Sequence, residues 1–169
     1  MGVILATTLS ASETRLLEFQ NGDINGYEGC QDISIRANEP NKVFIGAPIG
    51  ADLPSSDPEI QSLVRFEGIW GSGNREIPFG SEIISARLLV RAGNPGNSPR
   101  FYRILIPWTK NLATWNRPFV NGNSTSGIQL DGFEAETSGI VYGSGNLATG
   151  FHEFDITTMV REWAGGAPN

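Results

Sequence analysis

The chain is poor in the residues that most often build catalytic and metal centres. Its 169 residues include one histidine, His152, and one cysteine, Cys30. A metal site made of several histidines is therefore excluded, and so is a disulfide within the chain. The sequence patterns typical of α/β-hydrolases, zinc peptidases and P-loop nucleotide-binding proteins are missing as well.

The sequence also lacks a long apolar run and an excess of basic residues. No segment approaches the ~20 apolar residues of a membrane-spanning helix, so we expect no membrane insertion. The N-terminal segment has a short apolar run without basic residues around it, which is not the pattern of a signal peptide. The net charge of −6 argues against non-specific binding to nucleic acid.

Glycine and proline are abundant, with 21 and 10 residues respectively. This composition favours many short strands joined by tight turns. The clearest pattern lies between Gln61 and Gly93, where two alternating segments flank a connection that contains several glycines and a proline. In such segments every second residue faces the same side, so one row is buried and the other lies on the opposite face.

These patterns predict roughly ten strands and one short helix. Besides the two strands within residues 61–93, we expect strands at Val3–Thr8, Leu16–Gln20, Asp32–Arg36, Val43–Ile45, Phe101–Ile106, Ile128–Leu130, Ile140–Tyr142 and Phe151–Ile156. The helix is predicted at Thr157–Ala164, with Thr157 or Thr158 capping its start and two glycines ending it. We therefore predict an all-β fold, a jelly-roll-like antiparallel β-sandwich with one short C-terminal helix, in a single domain over residues 1–169.

Arginines recur on the strand rows that are not expected to be core. The four are Arg65, Arg87, Arg91 and Arg103. If their strands are neighbours in one sheet, four guanidinium groups share a surface that can bind carboxylate or sulfate oxygens. The alternative is that each arginine pairs with a nearby carboxylate such as Glu67, or covers apolar surface with its stem.

Two further sets of residues are candidates for ligand or metal binding. Tyr27 and Trp108 could offer a flat surface on which a sugar stacks. The loop that contains Asp23, Asn25, Glu28 and Asp32 could supply oxygen ligands to a structural Ca²⁺, although it lacks the spacing of an EF-hand. The other reading of that loop is a set of side-chain hydrogen bonds to its own backbone.

Four segments give the chain a resemblance to a known family. They are Phe19–Ile35, Gln61–Val90, Thr114–Asn116 and Phe154–Gly166, and they occur in the family's order. The sequence resembles the DNRLRE, or disaggregatase-related, β-sandwich modules of large exported bacterial and archaeal proteins. The resemblance implies an extracellular or cell-surface location, and the family pattern supplies no catalytic residue. Some members are carbohydrate-binding modules, with alginate as one ligand. Family members continue after the helix with a closing strand, which this sequence lacks.

The resemblance and the arginine pattern together predict a non-catalytic carbohydrate-binding module for an acidic polysaccharide such as alginate, appended to a larger exported protein. Its partners would be the polysaccharide and linked neighbouring domains or subunits, and it would require no cofactor beyond a structural calcium ion. The alternative is a structural protomer of an extracellular fibre, virion or surface layer, assembled when a neighbour supplies the closing strand. A hydrolase or lyase would need a cleft with paired acids that the sequence does not reveal.

Overall fold

The regular structure of the chain is β-strand with one short helix, which confirms the predicted all-β class. The computed structural model describes residues 2–10, 13–22, 26–52, 58–122, 126–141 and 146–167. Within these residues the elements are, in chain order, β1 (Gly2–Ser10), β2 (Glu13–Phe19), β3 (Cys30–Arg36), β4 (Ile60–Phe66), β5 (Glu82–Ala92), β6 (Gly96–Asn97), β7 (Arg100–Phe101), β8 (Ile140–Val141), β9 (Asn146–Leu147), β10 (Gly150–Asp155) and α1 (Thr157–Ala164).

The largest sheet has four antiparallel strands in the order β10-β5-β1-β2. Its inner face carries alternate residues of β2, β5 and β10, among them Phe19, Ala86, Leu88 and Phe154, all of which are buried. These side chains form the first core with Phe66 of β4 and with residues of the connection between β4 and β5 and of α1. The outer face of this sheet carries the other row of β2, β5 and β10.

The second sheet, β3 paired with β4, contributes side chains to two separate cores. Cys30 and Phe66 pair with each other and belong to the first core. Ile33 and Leu63 also pair with each other, but they belong to a second core that contains Trp108, Trp115 and Phe119. Because successive residues of a strand point to opposite faces, the apolar residues on the two faces of this strand pair pack against different parts of the chain.

The second core is covered by an irregular segment, which comprises the described residues between β7 and β8 (102–122 and 126–139), and not by a sheet. The Gln61 side chain accepts a hydrogen bond from the Ile128 backbone N–H at 2.6 Å, and the Gly127 N–H donates to the Trp115 carbonyl at 2.8 Å. The Leu105 N–H donates to the Glu134 carbonyl at 2.9 Å. Side chains and single backbone contacts thus satisfy polar groups that a strand ladder would otherwise pair.

Three predicted strands are shorter than expected or absent, because isolated backbone and side-chain contacts replace the strand ladders there. The strand predicted at Phe101–Ile106 is limited to β7, and Ile104 makes only an isolated bridge to Ala135. The segment Val43–Ile45 is reduced to a bridge between Phe44 and Ser34. The segment Ile128–Leu130 forms no strand at all.

The helix α1 has the predicted bounds, but its start is held differently from the prediction. The Asp155 carboxylate accepts the Thr157 N–H at 2.9 Å, while the Thr157 hydroxyl accepts the Ala86 N–H at 2.9 Å. The Arg161 guanidinium donates to the Ile83 carbonyl at 2.9 Å. The threonine and the arginine therefore fasten α1 to β5 instead of capping the helix.

Candidate functional site

The four arginines predicted to share a surface belong to three different parts of the fold. Arg65 lies on β4 in the two-stranded sheet, Arg87 and Arg91 lie on β5 in the four-stranded sheet, and Arg103 follows β7 in the irregular segment. A common surface required their strands to be neighbours in one sheet. Since β4 and β5 belong to different sheets, that requirement is not met, and the four arginines do not form one row.

Arg65 is directed into the structure instead of away from it. It shares a row of β4 with Gln61 and Leu63, and this row faces the irregular segment. Its guanidinium lies 4.9 Å from the centre of the Trp108 ring and donates to the Trp108 carbonyl at 3.0 Å. It also forms an ion pair with Glu67, and the side chain is 21% exposed. The alternative reading, pairing with a nearby carboxylate, is the one that this structure supports for Arg65.

Arg103 is held by two carboxylates and is the least exposed of the four. Its guanidinium forms ion pairs with Glu136 at 2.5 Å and with Glu162 of α1 at 3.1 Å. The side chain is 17% exposed. These ion pairs join the irregular segment to α1, so the role of Arg103 in this structure is structural.

Arg87 and Arg91 lie on the outer face of the four-stranded sheet, which no described element covers. Arg87 forms an exposed ion pair with Glu153 of β10 at 2.8 Å. Arg91 is exposed, belongs to none of the ion pairs found among the described residues, and stands directly opposite Phe151 of β10. The Phe151 side chain is 73% exposed. An unshielded aromatic ring and a guanidinium group therefore occupy adjacent positions on this open face.

The two predicted stacking residues are parts of the packed structure. Trp108 is 3% exposed and belongs to the second core. The Tyr27 hydroxyl donates to the Glu67 carbonyl at 2.8 Å, and its ring packs edge-on against Phe19 with centroids 5.4 Å apart. Burial, followed by the nearby Cys30 thiol and Glu67 carboxylate, raises the pKa of Tyr27 above its ordinary value. Tyr27 is half-buried and holds its loop against the end of β4, whereas the Trp108 ring is buried and offers no open surface to a sugar.

The predicted calcium loop is only partly within the described residues. Asp23 and Asn25 lie outside them. Glu28 is exposed, and Asp32 forms an ion pair with Lys110 at 3.0 Å. No group of three or more metal-ligating side chains occurs among the residues that the structure describes. Calcium binding at this loop stays a prediction.

A groove of about 350 Å³ runs beside β2. One wall is formed by the four consecutive residues Arg15–Glu18, and the other by Asn74 and Arg75 of the connection between β4 and β5. Since consecutive strand residues point to opposite faces, a groove lined by four of them follows the edge of the strand and not one of its faces. The Arg15 guanidinium bridges the two walls by donating to the Asn74 carbonyl at 3.2 Å.

Three residues of these surfaces were missed in the sequence. Phe151 could have been found, because alternation in β10 places it in the row opposite to the buried Phe154. Arg15 and Arg75 carried no such signal. They are 60 residues apart in the sequence (75 − 15), and only the fold brings them to one groove.

Comparison with known proteins finds no matching family model, no matching curated protein and no matching solved structure. The resemblance to DNRLRE modules therefore remains a prediction from the sequence motifs. Within the described part of the chain, no helix is long and apolar enough to cross a membrane.

Proposed function

We propose that this chain is a non-catalytic module that binds an acidic polysaccharide, with alginate as the first ligand to test. The observation that carries the proposal is the pairing of exposed Phe151 with exposed Arg91 on the open face of the four-stranded sheet. The aromatic ring offers an apolar surface to the C–H face of a sugar ring, and the guanidinium offers paired donors to a carboxylate. The predicted site residues Arg65, Arg103, Tyr27 and Trp108 have structural contacts and are left out of this site.

The spacing of the exposed arginines suits a repeating polyanion. Arg87 and Arg91 are four residues apart on the same row of β5, which corresponds to about 13 Å along the strand. A uronate chain lying along β5 would present carboxylates to both. Arg87 is already paired with Glu153, but that pair is more than half exposed on both sides, so exchanging Glu153 for a ligand carboxylate costs little.

The charge of this face limits the affinity that we expect. Glu18, Glu153 and Asp155 are exposed on the same face as the two arginines. Exposed ion pairs contribute at most about 1 kcal/mol each and weaken as salt screens them. The module would therefore bind weakly at each contact and gain retention from repeated contacts along the polymer.

The proposal also includes the detailed fold of the chain and its location in or outside the cell. A jelly-roll-like β-sandwich in a larger exported protein, at the cell surface or outside the cell, is supported by the motifs shared with DNRLRE modules. The described sheets are small and unclosed, and what supports a sandwich is that both the four-stranded sheet and the β3–β4 pair contribute side chains to the first core. As a module of this kind, the chain would bring an attached enzyme to its polymer.

Calorimetry and affinity electrophoresis with oligoalginate, oligogalacturonate and a neutral glucan test the proposal. We expect retardation by the two acidic polymers at low salt and none by the neutral one. Phe151→Ala or Arg91→Gln should weaken binding about fivefold to tenfold, since each removes about 1 kcal/mol or slightly more. Arg100→Gln is the matched control, because Arg100 is an exposed arginine of β7 in another sheet. Absence of retardation by every acidic polymer would remove the proposal.

A second candidate is a structural protomer that assembles by strand addition. The observation that favours it is the position of β2 at the edge of its sheet, with no partner strand on its free side among the described residues. Electron microscopy of the concentrated protein would show fibres or sheets if the chain assembles alone. A field of separate particles would count against this candidate.

A further inference from the structure

The groove beside β2 has the form of a site for an extended polypeptide. An edge strand offers backbone N–H and C=O groups on its free side, and another strand can add to them. The groove runs along this free side of β2. Arg15–Glu18 line one wall of it, and Asn74 and Arg75 line the other. Four residues of strand correspond to about 13 Å, enough to pair with a short extended segment.

Of the features that usually protect an edge strand, β2 has charged residues, at Glu13, Arg15 and Glu18, but neither a proline nor a bulge. Its sequence, ETRLLEF, contains no proline, and its pairing with β1 is regular from end to end. Leu16 on the outer row is 69% exposed. An exposed leucine on an edge without proline or a bulge is a feature of strands that pair with another chain.

The charges of the groove indicate the chemistry of the occupant. Arg15 and Arg75 line it, and Glu18 is the single carboxylate among the lining residues. Arg75 is exposed and belongs to none of the ion pairs found in the described part of the chain. A segment entering the groove would meet the two guanidinium groups on one side and Leu16 on the outer row. The complement is a strand in which carboxylates alternate with apolar side chains.

We propose that the edge of β2 is a docking site for an extended segment of another polypeptide that alternates acidic and apolar residues. The segment adds to the sheet as a fifth strand next to β2, with its carboxylates toward Arg15 and Arg75 and an apolar residue over Leu16. This site is separate from the Arg91 and Phe151 pair on β5 and β10, so the polysaccharide proposal and this one can fail independently.

The test uses a fluorescent octapeptide that alternates glutamate and valine, with a lysine–valine peptide as the charge control. A third peptide with N-methyl groups on alternate residues keeps the charge but cannot pair along one edge. We expect the glutamate peptide to bind and the lysine peptide to bind at least tenfold more weakly. The N-methylated peptide should lose binding in the orientation that places its methylated edge against β2. Binding should weaken in high salt because both guanidinium groups are solvent-accessible.

Variants and amide hydrogen exchange locate the site. Arg75→Gln, which changes only an exposed side chain, should lower the affinity about threefold to fivefold, and the double variant with Arg15→Gln should lower it further. Arg100→Gln should have no effect. In the unaltered protein, the glutamate peptide should slow the exchange of backbone amides within Arg15–Glu18.

Four results of the peptide experiments would overturn the proposal. They are equal binding of the glutamate and lysine peptides, absence of binding, absence of slowed exchange along β2, and displacement of the peptide by oligoalginate with the same amides protected. The last result would identify the groove as a polysaccharide site. Sedimentation of the protein alone tests whether a second copy of the chain occupies the edge of β2. Self-association that slows exchange along β2 would show this and would also overturn the proposal.

Discussion

Replacing Arg103 with glutamine should lower stability without removing a ligand contact. Arg103 is 17% exposed and holds Glu136 and Glu162, so the substitution leaves two carboxylates without their common cation. Breaking a buried ion pair by removing one partner costs about 3–5 kcal/mol. Both glutamates are partly exposed, at 32% and 44%, and the buried Nε of Arg103 has no hydrogen-bond partner, so the cost is smaller here. We expect about 2 kcal/mol.

Arg87→Gln provides the matched comparison. Arg87 also pairs with a glutamate, but the two side chains are 57% and 51% exposed. Its loss should cost no more than about 0.5 kcal/mol. For a chain of this length, these values correspond to a fall in Tm of about 4–8 °C for the Arg103 variant and at most about 2 °C for the Arg87 variant.

Urea and thermal unfolding of the two variants measure this difference. A double-mutant cycle that combines Arg103→Gln with Glu162→Gln should give a coupling of about 1 kcal/mol, because the two residues share the contact. If the Arg103 and Arg87 variants lose the same stability, the contacts assigned to Arg103 do not hold the helix to the irregular segment. If the folded Arg103 variant loses alginate binding while the Arg87 variant keeps it, the division between structural and ligand-contacting arginines is wrong.

Three further predictions concern single side chains. Phe154→Ala should cost about 3–5 kcal/mol because the ring is 1% exposed, whereas Phe151→Ala should change stability little, and chemical unfolding compares the two. Asp155→Asn should cost about 0.5 kcal/mol at pH 7 after allowance for solvent screening, because the carboxylate accepts a bond from Thr157. The bonds from Thr157, followed by the charges of nearby arginines, lower the pKa of Asp155, so its contribution is complete above the unfolded pKa of about 3.9 and is lost as the pH falls through the folded-state pKa. Unfolding of both proteins at pH 7 and at pH 2–3 should therefore show the difference closing in acid. Tyr27→Phe should cost about 1 kcal/mol by removing the hydroxyl bond to a backbone carbonyl, and an unchanged Tm would contradict that role.

The sequence predicted those features that depend on neighbouring residues. The helix α1 has its predicted bounds because three apolar residues at helical spacing and two terminal glycines define it locally. Alternation in β5 correctly separated the buried Ala86 and Leu88 from the exposed Arg87 and Arg91. It could also have identified Phe151, since the rule that buries Phe154 exposes its neighbours at odd spacing.

The alternation of side chains along a strand could not predict which part of the chain packs against each face. Arg65 lies on the row opposite to Phe66, as alternation requires, but the segment around Trp108 covers that row. This segment has no periodicity, and some of its hydrogen bonds go to distant groups such as the Gln61 side chain. Arg103 is paired with carboxylates 33 and 59 residues away (136 − 103 and 162 − 103), which no local pattern can reveal.

The position of the β3–β4 pair between two cores has a consequence for the dynamics of the chain. At its buried positions, such as Ile33 and Leu63, the amides should exchange with solvent only after the packing around them opens. The edge strand β2, in contrast, has no strand on its free side among the described residues. Exchange should therefore be slowest in the middle of β3 and β4, at the pairing of Ile33 with Leu63. If the two cores open in separate steps, residues on the Trp108 side and residues on the Phe154 side will exchange at two distinct rates. The β3–β4 pair would then be the last part of the molecule to open, and the opening of one core would affect the other through this pair.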